Sequence, residues 1–508
     1  MLELQNVTLR LKKNDRVLID DFSFTLQSRD KAVIIGEEGD GKSTLLKWIA
    51  DPDAVGGYCE CAGSAVKKGV CVYLPQFTPR DVAEKTVAEV FEGTKIYPHT
   101  KLLRGLGIAP EKLADSQRFG SLSGGEQVKL RLIRLLMDEP DILLLDEPTN
   151  DLDIETLVWL ERFLQQDSRP VLYVSHDETL IERTANVIIH LEQLQGKTKS
   201  RVSVIRGPYR DYLADRESRF AHQAQVARKQ REDHARQMEK FRRIRDSVDR
   251  AQETISRADP AGGRLLKKKM HAVQSMGRRF EREQANFTEF PESEDAILAS
   301  FDEAVTLPAG KTVLELPDTR LEIGGRLLAE NVRLTVRGGE HIGITGRNGA
   351  GKSTLLRLIR EKLNDRKDLN VGYMPQNYAE LLDPDRSPVD FLAPDGKKEA
   401  VTRARTYLGS MRFTRPEMTG KIGELSGGQQ AKILLLGMVL SGVNVLLLDE
   451  PTRNFSPLSG PVVRAALAGF GGTIICVSHD RKFLREVCGG ILELTEAGLV
   501  SLDPDELG

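Results

Sequence analysis

The chain has 508 residues, 40% of them apolar before its 44 glycines are added, and 73 Lys and Arg nearly balance 75 Asp and Glu. That length exceeds a single core, which rarely grows past about 250–300 residues, and the net charge of −2 excludes a uniformly basic nucleic-acid binder while leaving room for a local basic stripe. Apolar runs such as Ile142-Leu-Leu-Leu145 fall far short of the roughly 18–20 residues needed to cross a bilayer, and five cysteines, an odd number, fit reduced thiols better than a disulfide framework.

The opening residues, Met1-Leu-Glu-Leu-Gln-Asn-Val7, carry neither a basic start nor an apolar signal core. They predict a first strand and a protein that stays in the cytoplasm. An apolar strand from Ala32 to Ile35 runs into Gly36-Glu-Glu-Gly-Asp-Gly-Lys-Ser-Thr44, and an apolar-periodic helix follows through Leu45 and Ile49. Gly36, Gly39 and Gly41 let backbone N–H groups converge on phosphate oxygens at a helix N-terminus. Lys42 adds a point charge at the outer phosphates, Ser43 can hold Mg²⁺, and Thr44 is counted with them as a nucleotide contact. Next come Cys59, Cys61 and Cys71, with no fourth Cys or nearby His to complete a tetrahedral metal site. An idiosyncratic loop is expected around Cys59 and Cys61.

Further along, Leu122-Ser-Gly-Gly-Glu-Gln127 sets two glycines after Ser123, so Gly124 and Gly125 can present N–H groups to an anion at a helix N-terminus. The run Ile142-Leu-Leu-Leu-Asp146 reads as a buried parallel strand ending in a carboxylate that binds Mg²⁺ through water. Glu147, next in sequence, is placed to polarise a water against a terminal phosphate, and His176 in Val-Ser-His-Asp to orient that phosphate.

Residues 209–290 change character, with few Gly or Pro and apolar residues at helical spacing. Phe241, Ile244, Val248, Ala251 and Ile255 form one stripe; Leu266, Met270, Val273, Met276 and Phe280 form another. The breakers Asp259-Pro-Ala-Gly-Gly263 separate them, which predicts an antiparallel helical hairpin whose tip spans residues 256–264 and whose first helix runs 47 residues from Tyr209 to Ile255. Residues 206–290 hold 21 Lys and Arg against 13 Asp and Glu. The basic charge of the protein is therefore concentrated here, in clusters such as Lys267-Lys-Lys269, Arg242-Arg243 and Arg278-Arg279.

After the hairpin the landmarks return in the same order. The loop recurs as Gly346-Arg-Asn-Gly-Ala-Gly-Lys-Ser-Thr354, with Gly346, Gly349, Gly351, Lys352, Ser353 and Thr354 in the places of their first-copy counterparts. Leu-Pro-Gln76 recurs as Met-Pro-Gln376, the Ser-Gly-Gly triplet as Ser426, Gly427 and Gly428, the strand-end pair as Asp449 and Glu450, and the histidine as His479. The first copy carries about ten extra residues between its Gly-rich loop and Gln76.

This set of motifs resembles the ATP-binding cassette ATPases. The resemblance implies an α/β fold of two ATP-binding cassette domains of P-loop NTPase type, residues 1–205 and 291–508, joined by the long antiparallel hairpin of residues 206–290. It also implies that the Ser-Gly-Gly signature of each cassette closes over nucleotide held by the other, giving two shared ATP sites in a monomer. Gln76 and Gln376 join Ser43, Asp146, Ser353 and Asp449 as nucleotide and Mg²⁺ contacts, and Glu147, Glu450, His176 and His479 are the implied catalytic residues. With a basic hairpin and no membrane segment, the whole chain looks like the F subfamily of ribosome-associated ATPases. The segment from Glu450 to Ser459 looks like that subfamily's branch protecting ribosomes from lincosamides, pleuromutilins, streptogramin A and phenicols, whose hairpin reaches 23S rRNA and the P-site tRNA. The spacings from Gln76 to Ser123 and from Gln376 to Ser426 leave no extra arm in the first cassette. A housekeeping translation factor of the same subfamily is the nearest alternative, and the tandem ATPase of a membrane importer, which needs a permease, a more distant one.

Three departures carry expectations. Glu37, Glu38 and Asp40 should weaken triphosphate binding at the first loop by like-charge repulsion. The segment Arg453-Asn-Phe-Ser456 differs from Asn150-Asp-Leu-Asp153, so the sites should turn over unequally. Lys13 and Ile323 stand where relatives stack adenine on an aromatic ring, which loosens base discrimination.

Overall fold

The computed structural model describes residues 1–94, 99–194, 197–254, 260–285, 287–288 and 306–507. The chain divides into two compact units, Met1–Tyr209 with Glu294–Gly508, and Arg210–Ser293.

Each repeat in the larger unit is built on a six-stranded sheet, and the two sheets share one strand order. In the first copy the order is Cys71–Leu74, Ile142–Asp146, Val171–Val174, Lys31–Ile35, Val187–Leu194 and Lys199–Arg206, parallel except for the last strand. The inner three strands are buried at every position, as near-continuous apolar runs must be when helices cover both faces. The second copy repeats this with Val371–Met374, Val445–Asp449, Thr473–Val477, His341–Thr345, Gly490–Thr495 and Gly498–Ser501. Register decides where the chemistry sits. Asp146 pairs with Val174, and Ile34 with Val174 on its other side, so the Gly36 loop, Asp146-Glu147 and Ser175-His176 leave adjacent strands at one edge. Asp449, Val477 and Ile344 repeat the arrangement.

Behind each loop a helix plugs into the core. Lys42–Ala50 buries Leu45, Leu46, Trp48 and Ile49, and Lys352–Asn364 buries Leu355, Leu356, Ile359 and Leu363. An antiparallel layer packs beside each sheet, two-stranded in the second copy (Thr312–Ile323, Arg326–Arg337) and three-stranded in the first. The extra strand, Cys59–Lys67, pairs along Leu2–Leu11 from Leu11↔Cys59 to Leu2↔Lys67. The loop expected there is therefore an edge strand. Most of its side chains are exposed, so no apolar alternation announced it, and backbone pairing with a neighbouring strand holds it.

The smaller unit is an antiparallel pair of helices, Tyr209–Thr254 and Pro260–Ala285. The first has 46 residues, roughly 70 Å at 1.5 Å per residue. Phe241, Val248, Val273 and Phe280 form the core of the pair, with the Phe241 and Phe280 rings edge-to-face at 5.7 Å and Gly277 packed beside Phe241. At the open end, Gln230 accepts from the Thr288 N–H at 2.8 Å, and His234 stands edge-on to Phe280 and Phe287. Two stripe residues depart from expectation. Ile244 and Met276 are exposed, because two helices packed on one another bury a seam narrower than a globular helix face. The second helix starts at Pro260, inside the expected tip, since proline at a first helical position loses no hydrogen bond. Ile255, residues 256–259 and the Leu266 side chain lie outside the described residues, whereas Leu265 and Lys267-Lys-Lys269 are exposed.

Candidate functional site

The Gly-rich loops share one construction. Gly41 and Gly351 cap their helices at φ of 98° and 97°, left-handed conformations that only glycine adopts at little cost. Lys42 donates to the carbonyls of Gly36 (2.8 Å) and Glu37 (2.9 Å), and Lys352 to those of Gly346 (2.8 Å) and Arg347 (2.9 Å). Both ammonium groups thus sit over the loop hollow. Ser43 donates to Asp146 at 2.8 Å, and Ser353 likewise bonds Asp449, so a hydroxyl and a carboxylate converge beside each loop. Such hard oxygen donors suit Mg²⁺. Gln76 is half-buried after its strand, whereas Gln376 is exposed on the wall of the second site.

Glu147 and Glu450 follow their strand ends with left-handed backbone, φ 49° and 52°. A non-glycine residue held there costs of order 1–3 kcal/mol, a strain that accumulates at functional sites. The turn aims each carboxylate at its histidine. The His176 N–H donates to Glu147 at 3.1 Å and its Nε2 lies 3.0 Å from the other carboxylate oxygen; for His479 and Glu450 the corresponding distances are 3.3 and 3.9 Å. Their electrostatics diverge. Burial tends to lower the His176 pKa, but Glu147 outweighs it and the net shift is upward. Burial and Lys352 push His479 down to about 3, and burial with Asp449 pushes Glu450 up to about 8. The Nδ1 atom of His479 is buried without a hydrogen-bond partner among the described residues, whereas that of His176 bonds the Phe455 carbonyl at 2.6 Å.

The signature helices complete the sites across the repeat. Ser123, Gly124, Gly125, Gln376, Glu450 and His479 all face a cavity of about 500 Å³ that also touches Gly349, Lys352 and Ser353. That volume lies in the range of nucleotide-sized pockets. Ser123 and Ser426 cap their own helices through capping boxes with Glu126 and Gln429, so their hydroxyls are committed locally and the N–H groups are what face the site. At the first loop, Glu38 accepts from the Gly427 N–H at 3.1 Å and from that of Gly428. Glu37 accepts from Ser456 at 2.6 Å and Ser459 at 3.1 Å. Asp40 is buried under the loop and pushed up to about 6. Two of the three carboxylates expected to face a triphosphate thus turn to the opposite repeat.

Several contacts that no single stretch of sequence could show matter here. Tyr73 donates to Asp146 at 3.0 Å. Tyr209, the first residue of the long helix, donates to the Pro457 carbonyl at 3.4 Å, next to Phe455 and Ser456. Arg453 pairs with Asp151 at 2.9 Å, and Asn348 donates to the Asp151 carbonyl. Arg464 pairs with Glu178 at 2.6 and 3.2 Å, and Arg481 with Glu161, all four buried between the repeats. A charge in a buried helix position was the available signal. Of the two positions expected beside the base, Ile323 lines the cavity, whereas Lys13 is 85% exposed and only 3.5 Å from Glu424.

The family model described as ABC transporter matches residues 19–150 and 329–453, just over half of the chain. The chain belongs to the ABC transporter family. It is accordingly an ATP-binding protein and an ATPase. It is similar to the probable ATP-binding protein YheS of Escherichia coli K12, at 28% identity over 98% of this chain and 79% of the relative. The putative ATP-binding protein YdiF of Bacillus subtilis is 28% identical over 94% and 78%, and the energy-dependent translational throttle protein EttA of E. coli K12 is 28% identical over 96% and 90%. Among solved structures, the archaeal ribosome recycling factor aABCE1 in complex with the stalk protein aP1 matches with a TM-score of 0.60 at 16% identity, over 98% of this chain and 90% of that one, a likeness of fold. No helix among the described residues is long and apolar enough to cross a membrane.

Proposed function

We propose that this ABC ATPase is a ribosome-associated factor of the F subfamily that acts in translation. One observation carries the reading: a pair of helices of which the first alone has 46 residues, exposing Lys267-Lys-Lys269 and Leu265, inserted between two cassettes. Such an arm has no use in a cassette that only drives a permease, whereas cationic side chains on a long lever suit phosphate-rich rRNA and tRNA. EttA, named as a translational throttle, is 28% identical over nearly the whole chain and supports the same reading.

In the catalytic cycle, Lys42 and Lys352 would take the outer phosphates in place of the loop carbonyls they now bond. Glu450, with its raised pKa, is suited to accept the proton of the attacking water as the bond between the β- and γ-phosphates breaks to leave ADP and phosphate. Ser43 with Asp146, and Ser353 with Asp449, would hold Mg²⁺, together with Gln76 and Gln376; the ion neutralises phosphate charge. ATP binding closes the two cassettes, the closed form binds the ribosome, and hydrolysis releases it. In its finer form, residues 206–290 reach 23S rRNA and the P-site tRNA, and the protein protects the peptidyl-transferase centre from lincosamide, pleuromutilin, streptogramin A and phenicol drugs.

The test is co-sedimentation of the Glu147→Gln, Glu450→Gln protein with ribosomes in ATP, beside a Lys267→Ala, Lys268→Ala, Lys269→Ala variant. Retention with ATP and a shallower salt dependence in the triple variant are expected, the logarithmic slope falling by about 0.7–0.9 for each phosphate left without its cation. Absence of ribosome binding under ATP rejects the reading. Inhibitory concentrations of lincomycin, tiamulin and chloramphenicol in a sensitive bacterium then separate drug protection, a selective rise, from ordinary translation, no change.

A further inference from the structure

The two loops differ at three positions, and one of these meets the opposite signature in both sites. In the second loop it is Asn348, a neutral amide that donates to the Asp151 carbonyl and packs against Gly125. In the first it is Glu38, whose two carboxylate oxygens take the N–H groups of Gly427 and Gly428. Those amides open the 14-residue helix Gly427–Leu440, whose N-terminal partial charge favours an anion. A γ-phosphate shared between a loop and the opposite signature must use the same amides. Glu37 strengthens the seizure. It accepts from Ser456 and Ser459, both buried, and lies 3.7 Å from the Lys432 ammonium. Four hydrogen bonds from the second cassette therefore already end on carboxylates of the first loop.

We propose that Glu38 is a built-in substitute for a terminal phosphate, so that the first composite site closes without a nucleoside triphosphate and the second alone requires one. A triphosphate entering the first loop must expel Glu38 and forfeit two charge-assisted hydrogen bonds, whereas a nucleoside diphosphate ends before the contested amides. At the second site Asn348 offers no such competition, and the cavity there includes Gly124 and Gly125. The asymmetry is thus one of nucleotide class.

The experiment counts nucleotides on the purified protein without ribosomes, so its result is independent of any role in translation. Turnover is suppressed by Glu147→Gln with Glu450→Gln, and equilibrium dialysis with radiolabelled ATP gives the stoichiometry. One tight equivalent per chain is expected with Glu38 present, and a second on Glu38→Asn, with first-site affinity for ATP rising about tenfold or more and that for ADP changing little. The reverse change, Asn348→Glu, should remove the tight equivalent. Glu38→Gln keeps the side-chain size and serves if the shorter variant folds poorly, as judged by melting. Two equivalents of equal affinity in the chain with Glu38, or one equivalent in both folded Glu38 variants, would overturn the proposal.

Discussion

Asp40 is 3% exposed beneath the first loop, where it accepts the Glu37 N–H at 2.8 Å and has only a long approach, 3.4 Å, to Arg16. Burial lifts its pKa from 3.8 to about 6 against the pull of Lys42. A carboxyl whose folded pKa is raised binds its proton more tightly in the native state, so its penalty is absent below the unfolded pKa, grows as pH rises from about 4 to about 6, and is complete above that. Two pKa units correspond to about 3 kcal/mol at 1.36 kcal/mol per unit. Asp40→Asn keeps an oxygen for the Glu37 N–H and removes the charge. Above about pH 7 it should stabilise the first cassette by up to about 3 kcal/mol, or about 6–12 °C in melting temperature for a unit of some 200 residues. The gain should fade to nothing below about pH 4. Melting of both proteins at one scan rate from pH 4 to 8 reads the difference directly, and the fixed rate matters because a two-cassette chain need not unfold reversibly. A difference that does not change with pH, or a variant less stable at pH 8, would refute the assignment of a buried charged carboxyl.

Glu450→Gln should lower steady-state ATP turnover by about 10²-fold or more, the usual contribution of a positioned general base, in a phosphate-release assay. In the Glu147→Gln protein, which leaves Glu450 as the only base, turnover should climb as pH rises through about 8, since the raised carboxyl must be ionised to accept a proton; a flat profile from about pH 6 to 9 would count against that role. Between the cassettes, Arg464→Met should cost about 3 kcal/mol by leaving Glu178 uncompensated, although Lys482 at 3.3 Å softens the loss. Pairing it with Glu178→Leu should recover at least about 1 kcal/mol, and strict additivity in urea unfolding would mean the pair is not coupled.

Much of the scaffold was legible because its signals are local and repeated. Apolar runs ending in Asp146 and Asp449, glycines at fixed spacing and a long charged helix each follow from one stretch of sequence. Cys59–Lys67 escaped because its strand identity comes from backbone pairing with Leu2–Leu11, and its own side chains show no buried face. The same limit governs the site. Loop, strand-end carboxylate and histidine could be grouped within each copy, whereas the grip of Ser456, Ser459, Gly427 and Gly428 on Glu37 and Glu38 depends on how two copies face one another. Glu37 and Glu38 read as misplaced charges for that reason; the positions that satisfy them lie some 390–420 residues later. Arg464 and Arg481 showed in the sequence only as charges on helices, since their partners sit on the other repeat.

Phe455, Ser456, Pro457 and Ser459 occupy one short stretch of backbone, and between them they hold three pieces of the first cassette: His176 by a carbonyl, Glu37 by two hydroxyls, and Tyr209 at the root of the long helix by another carbonyl. A change in the backbone of that one turn therefore reaches the histidine, the phosphate loop and Tyr209 together.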